Sequence, residues 1–231
     1  MDPGAEAERR RTLVALLVCG IVGFALLAVL YRYAPLDPLD HDVARWVSRH
    51  TPGWAESMGR AASDVGSMSA WLVAGVVVIG LVVLRRFRDA VWAAVTFAGI
   101  HVLVAALKDA FDRPRPQGAS AIPLPGSPSF PSGHAAGSVV TFGVLAALAA
   151  ERWPAYRHLL WALAAVLAAA IGASRVILDV HFVTDVVAGW CLGIAWLAAA
   201  LLVRDALVSR RAAAASSPHT DERAVSAGAP R

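Results

Sequence analysis

The chain has 231 residues, 58% of them hydrophobic and 16% charged, with a formal net charge of +4 and a mean hydropathy of +0.58. So apolar a composition excludes an ordinary water-soluble domain and indicates an integral membrane protein. The basic excess is Arg beside apolar runs, with no basic stripe interleaved with aromatics, so the partner indicated is the lipid bilayer and not nucleic acid.

A membrane-crossing helix needs roughly 20 mostly apolar residues. In chain order, runs at about 13–30, 68–84, 90–107, 135–150, 159–177 and 182–203 meet that need. They predict an all-α fold, an integral membrane bundle of six transmembrane helices. The first run reads as an anchor, because no small-residue cleavage site follows it and "YRYAPLDP" resembles an interfacial exit. Residues 36–67 place Val43, Trp46, Val47 and Trp54 as one face of a short helix lying in the interface, where it shapes a lateral entrance. Cys19 and Cys191 fall inside apolar runs and read as small buried hydrophobes.

Arg9, Arg10 and Arg11 precede the first span, "RRFRD" joins the second and third, "ERWPAYRH" joins the fourth and fifth, and Arg204, Arg210 and Arg211 follow the sixth. Short basic ends of this kind are expected in the cytoplasm. The organisation is then a cytoplasmic segment at 1–11, a six-helix membrane domain at 12–205 and a disordered cytoplasmic tail at 206–231, in a multi-pass protein of the cell membrane. The alternate connections, including the turn near Asp179, lie outside.

Three charged stretches sit at the outer ends of spans and so share one face: "KDAFDRPRP" from Lys108, "PSFPSGHAAG" from Pro128 and "SRVILDVHFVTDVVAG" from Ser174. Ionisable groups at membrane depth are costly and persist where they pair or line a functional cavity. Lys108, Arg115 and Arg175 together attract an anion, and the Arg fork fits phosphate oxygens. Lys108 is the single lysine beside 20 arginines, as a site needing one compact charge requires. An isolated lysine at a helix end also snorkels to the interface. Ser132, between Pro131 and Gly133, reads as the cap of the fourth span, where helix N-terminal amides face the same anion.

His181 and Asp185 stand four apart on one helix face, so the carboxylate can hold one ring nitrogen protonated and leave the other as a nucleophile. His134 then serves as acid and later as base. The residues alone do not decide which histidine attacks. Asp112 and Arg113 read as a local surface pair, with lining the mouth of the site as the alternative, and His101 as a core histidine.

Lys108, six residues, Arg115-Pro116; "PSGH" at 131–134; and Ser174-Arg175, five residues, His181, three residues, Asp185 reproduce the three-part signature of the type 2 phosphatidic acid phosphatase superfamily. The resemblance spans about residues 106–189. It implies a metal-independent phosphatase without cofactor, working through a phosphohistidine. On that resemblance His181 is the nucleophile, Asp185 orients it, and His134 is the general acid and base. Lys108, Arg115, Arg175, Ser132 and the Gly133 amide bind the phosphoryl oxygens. The partner it implies is a membrane lipid phosphate, either a polyprenyl diphosphate or a phosphatidic acid-like monoester; the oligomeric state stays open. A non-hydrolytic binding or transport protein for anionic lipids would keep the cations but not the histidine pair. A vanadate-dependent haloperoxidase uses a similar cradle on larger soluble proteins.

Overall fold

Lipid offers no partner for backbone N–H and C=O groups, so an apolar run of membrane length folds as a helix that satisfies its own. The computed structural model describes residues 3–33, 36–116, 122, 124 and 126–216, with the side chains of 3, 33, 36–37, 63–71 and 210–216 set aside. Among these residues there are seven α-helices and no strand. They are α1 (Pro3–Tyr33), α2 (Leu36–His50), α3 (Gly53–Val83), α4 (Phe87–Phe111), α5 (Gly133–Arg152), α6 (Arg157–Ile177) and α7 (Val183–Ser216), with a 3-10 turn at Pro154–Tyr156.

The all-α membrane fold expected from the sequence is the fold found. Five helices (α1, α4, α5, α6 with the preceding 3-10 turn, and α7) are long and apolar enough to cross a bilayer. The remaining expected crossing, 68–84, lies in α3, whose described apolar stretch is Leu72–Val83. That stretch is shorter than the roughly 20 apolar residues a crossing needs.

Two expectations are corrected. Residues 36–67 are not one interfacial helix: α2 stops at His50, and α3 begins behind Pro52, which lacks the N–H a continuing helix would need. Trp54 therefore belongs to α3 and is 69% exposed, while Trp46 is 63% exposed and stacks on His50. The inward stripe of α2 is Asp40, Val43, Ala44 and Val47. At the other end of the chain, α7 runs through Ser216, past the expected boundary at 205. The alanines at 212–215 favour helix without any apolar period. Residues 217–231 of the expected tail lie outside the described residues.

The bundle is built around α5 and α7. Ala135, Ala136, Val140 and Val144 of α5 are fully buried, and Leu197 and Leu201 of α7 close the same core with Phe97 and Ile100 of α4. Small residues let helix backbones approach closely in a membrane. A Cβ on Gly189 would stand 2.5 Å from the Ser132 carbonyl oxygen, and one on Gly193 would stand 2.8 Å from that of Ala136. These two glycines press the first turns of α7 against the start of α5.

The far end of the same helices is fastened by ions. Arg204 of α7 donates to Asp89 of α4 at 2.7 Å and to Glu151 of α5 at 3.1 Å, and its guanidinium lies 4.9 Å from the Trp92 ring. Arg86 reaches the same two carboxylates at 2.7 and 3.0 Å. With the basic end clamped, residues 108–116, 127–134 and 175–185 gather at the opposite end.

Gly189→Ala puts a methyl into backbone that cannot rotate away. The expected cost is about 1–3 kcal/mol of overpacking, read as a lowered thermal midpoint in detergent micelles at unchanged helical circular dichroism.

Candidate active site

The site is assembled from helix ends. α4 ends at Asp112, whose left-handed backbone (φ 45°) lets its N–H donate to the Lys108 carbonyl at 2.9 Å. Pro114 and Pro116 forbid further helix, and the extended strip between them is held by Ser129, whose N–H donates to the Arg113 carbonyl at 2.8 Å and whose hydroxyl donates to the Pro114 carbonyl at 2.9 Å. α5 begins at Ser132, fully buried, whose hydroxyl accepts from the Ala135 N–H at 3.5 Å and whose own N–H donates to the Asp185 carbonyl at 2.9 Å. α6 closes on itself as the Val180 and His181 N–H groups donate to the Arg175 carbonyl at 3.1 and 3.3 Å. That turn delivers His181 to the site.

His181 is 3% exposed. Its Nδ1 faces the Asp185 carboxylate at 3.3 Å and its Nε2 faces Arg115 Nη1 at 3.1 Å. A carboxylate only accepts and a guanidinium only donates, so Nδ1 carries the proton and Nε2 presents its lone pair. Burial pulls the imidazole down to about 4, against the opposing pull of Asp185. The ring is neutral at pH 7.

Asp185 is fully buried and accepts two further bonds, from the Phe182 N–H at 3.0 Å and from Arg113 Nη1 at 2.7 Å. Arg115 donates to the Val180 carbonyl at 2.7 Å and the Ser127 carbonyl at 2.9 Å, and Lys108 Nζ donates to the Pro128 carbonyl. Lys108 is half-buried and within electrostatic reach of Arg115 and Asp185, so it turns into the bundle instead of snorkelling. His134 lies within electrostatic reach of Arg175, His181, Arg115 and Lys108. Its Nε2 is buried without a hydrogen-bond partner among the described residues. Arg175 is 2% exposed. Gly133 opens α5, with Val104 of α4 against it. All eight residues singled out from the sequence thus stand at one end of the bundle, and His134, His181, Asp185, Lys108, Arg115 and Arg175 share one electrostatic neighbourhood. Ser174 donates to the Ile171 carbonyl at 2.7 Å within its own helix. No group of three or more His, Cys, Asp or Glu able to hold a metal ion occurs among the described residues.

Arg113 is a correction. It does not pair with Asp112 on the surface; it is 1% exposed and spans Asp185 on one side and Asp40 of α2 on the other, at 2.7 and 2.9 Å. Its guanidinium lies 4.4 Å from the Tyr31 ring and 4.2 Å from the Phe182 ring. Thr184 ties the same knot, accepting from Arg113 at 2.7 Å and donating its hydroxyl to Asp40. Sequence reasoning missed Asp40, and it placed Arg113 on the surface or at the mouth of the site instead of buried between two carboxylates. The available signal was Asp40 itself, an acid on the stripe of α2 whose next members are Val43 and Val47.

Arg113→Ala would leave two buried carboxylates without their shared cation. The expected loss is about 3–5 kcal/mol, seen in thermal or denaturant unfolding of purified protein, with a smaller loss for Asp40→Asn, which still accepts a hydrogen bond.

Comparison with known proteins agrees with this geometry. The PAP2 superfamily pattern matches residues 89–208, more than half the chain. Phosphatidylglycerophosphatase B of Bacillus subtilis (strain 168) is 28% identical over 176 residues, which cover 74% of this chain and 86% of that protein. The crystal structure of a transmembrane PAP2 type phosphatidylglycerolphosphate phosphatase from Bacillus subtilis superposes with a TM-score of 0.77 at 25% identity, covering 83% of this chain and 96% of that one. The helical membrane bundle, the gathered histidines and cations, and these matches place the chain in the PAP2 superfamily, as a membrane lipid phosphatase.

Proposed function

We propose that this enzyme removes the terminal phosphate of a glycerophospholipid head group through a phosphohistidine on His181, with charge supplied by side chains and no metal. The observation that carries the reading is the position of His181, its Nδ1 on Asp185 and its Nε2 beside Arg115, with the unpartnered His134 Nε2 close by. The names of the two Bacillus relatives support a phosphatidylglycerol phosphate-like substrate over a polyprenyl diphosphate.

In this reading the phosphoryl group lies among Lys108, Arg115, Arg175, the Ser132 hydroxyl and the Gly133 amide. Nε2 of neutral His181 attacks phosphorus as the ester P–O bond breaks, and His134, which the bound phosphoryl dianion would hold protonated among the surrounding cations, gives its proton to the leaving oxygen. Asp185 stabilises the cationic ring formed on His181. Neutral His134 then takes a proton from water, the water oxygen attacks phosphorus, the P–N bond breaks and His181 returns to its starting state. Phosphoryl transfer depends mainly on positioning and charge stabilisation, and one electrostatic group of this kind contributes about 3–4 kcal/mol. The positive-inside rule assigns the arginine-rich end, with residues 1–11 and the stretch after 205, to the cytoplasm and the site to the outer face of the cell membrane.

Incubation with lipid labelled at its terminal phosphate, followed by an alkaline quench that preserves phosphohistidine, tests the pathway. Wild type and His134→Ala are expected to carry label, formed and lost more slowly in His134→Ala, and His181→Ala to carry none. Label that stays on His181→Ala, or that moves to Ser132, overturns the assignment.

A further inference from the structure

The turn between α6 and α7 holds an acid that the reaction above does not use. Asp179 adopts φ 53°, the left-handed conformation that glycine takes freely and aspartate more readily than most other residues. It is 3% exposed, and burial pushes its carboxyl up. Its Oδ2 is buried with no hydrogen-bond partner among the described residues, a deficit of about 1–3 kcal/mol. Glycine would build this turn without the cost of a buried, unpartnered carboxyl oxygen.

Space for that partner exists. Asp179 lines a cavity of about 220 Å³ together with Pro116, Phe182 and, from α2, His41, Arg45 and Ser48. Pro116 follows Arg115 and Phe182 follows His181, so this cavity and the phosphoryl cradle are built on the same two strips of backbone. The Phe182 ring lies between the Arg113 guanidinium at 4.2 Å and the His41 ring at 4.8 Å. The volume suits a few heavy atoms and not an acyl or prenyl chain. No group of three or more His, Cys, Asp or Glu gathers around this cavity among the described residues, which disfavours a metal ion. A carboxyl, an imidazole, a hydroxyl and a guanidinium in one small space offer both donors and acceptors, the set that recognises hydroxyl groups.

We infer that this cavity is a head-group subsite in which Asp179 bonds a hydroxyl next to the phosphoryl group, selecting phosphate esters of a polyol over phosphatidic acid and prenyl diphosphates. The inference rests on the phosphatase reading above and narrows its substrate. A site built to bond a substrate hydroxyl discriminates against analogues that lack it, because the buried polar group is then left unpaired.

The test uses the purified full-length protein with phosphatidylglycerol phosphate, phosphatidic acid and a prenyl diphosphate. For wild type, kcat/KM is expected to be highest on phosphatidylglycerol phosphate. In Asp179→Gly the ratio of kcat/KM for phosphatidylglycerol phosphate to that for phosphatidic acid is expected to fall about ten- to hundredfold, the worth of one buried hydrogen bond. Its thermal midpoint should equal or exceed that of wild type, because strain and desolvation are both relieved. An unchanged ratio, a parallel loss on both substrates, or a lowered midpoint overturns the subsite. Wild-type turnover of phosphatidic acid alone overturns the subsite and leaves the phosphatase reading standing; no turnover of any substrate overturns both.

Discussion

Asp185 is the point at which the separate parts of this chain are joined. Its carboxylate takes bonds from the His181 ring, the Phe182 N–H and Arg113, and its carbonyl takes the N–H of Ser132. Through Arg113 the connection continues to Asp40 on α2. One buried residue thus fixes the start of α5, the turn before α7, the strip after α4 and α2 relative to one another. A buried carboxylate is tolerable only when its lone pairs are filled. The demand for those partners is what specifies the geometry around His181.

The charges divide into two kinds. Arg113 is neutralised by two carboxylates and serves the frame. Lys108 and Arg115 donate to backbone carbonyls at 127, 128 and 180, dipoles that satisfy a hydrogen bond without cancelling a charge. Positive potential therefore remains beside His134 and His181, in surroundings of low dielectric where it acts strongly. An oxyanion suits that potential. At the opposite end Arg86 and Arg204 face Asp89 and Glu151 in equal number. That cluster is balanced and structural.

The spans were legible because lipid imposes a length and a polarity on each, and the eight candidate residues could be picked out because their spacing is a local property of three short stretches. Arg113 and Asp40 were not: they lie 73 positions apart, and a charge beside Asp112 in sequence gives no sign of burial. The face of α2 was half legible. Val43 and Val47 point inward as their spacing implies, but the break at Pro52 sends Trp54 to another helix, and Asp40 occupies a slot that periodicity reserves for an apolar side chain. The helical extension to Ser216 was missed because alanine forms helix through backbone propensity and leaves no period to detect. The strain at Asp179 was hidden for a related reason, since left-handed backbone is set by how α6 and α7 meet.

Arg115 links the frame to the proposed chemistry. Its Nη1 stands 3.1 Å from His181 Nε2, the atom that attacks phosphorus in the proposed reaction, and its Nε holds the Ser127 carbonyl at 2.9 Å. An entering phosphoryl group offers charged oxygens to donors that now meet a ring nitrogen and neutral carbonyls. Hydrogen bonds are then exchanged and not merely lost, and each new bond is charge-assisted and so stronger than the one it replaces. The exchange also uncovers the Nε2 lone pair at the moment phosphorus arrives beside it. Because the anionic charge on the phosphoryl oxygens is held by fixed guanidinium and ammonium groups, little reorganisation is left for the bond-making step.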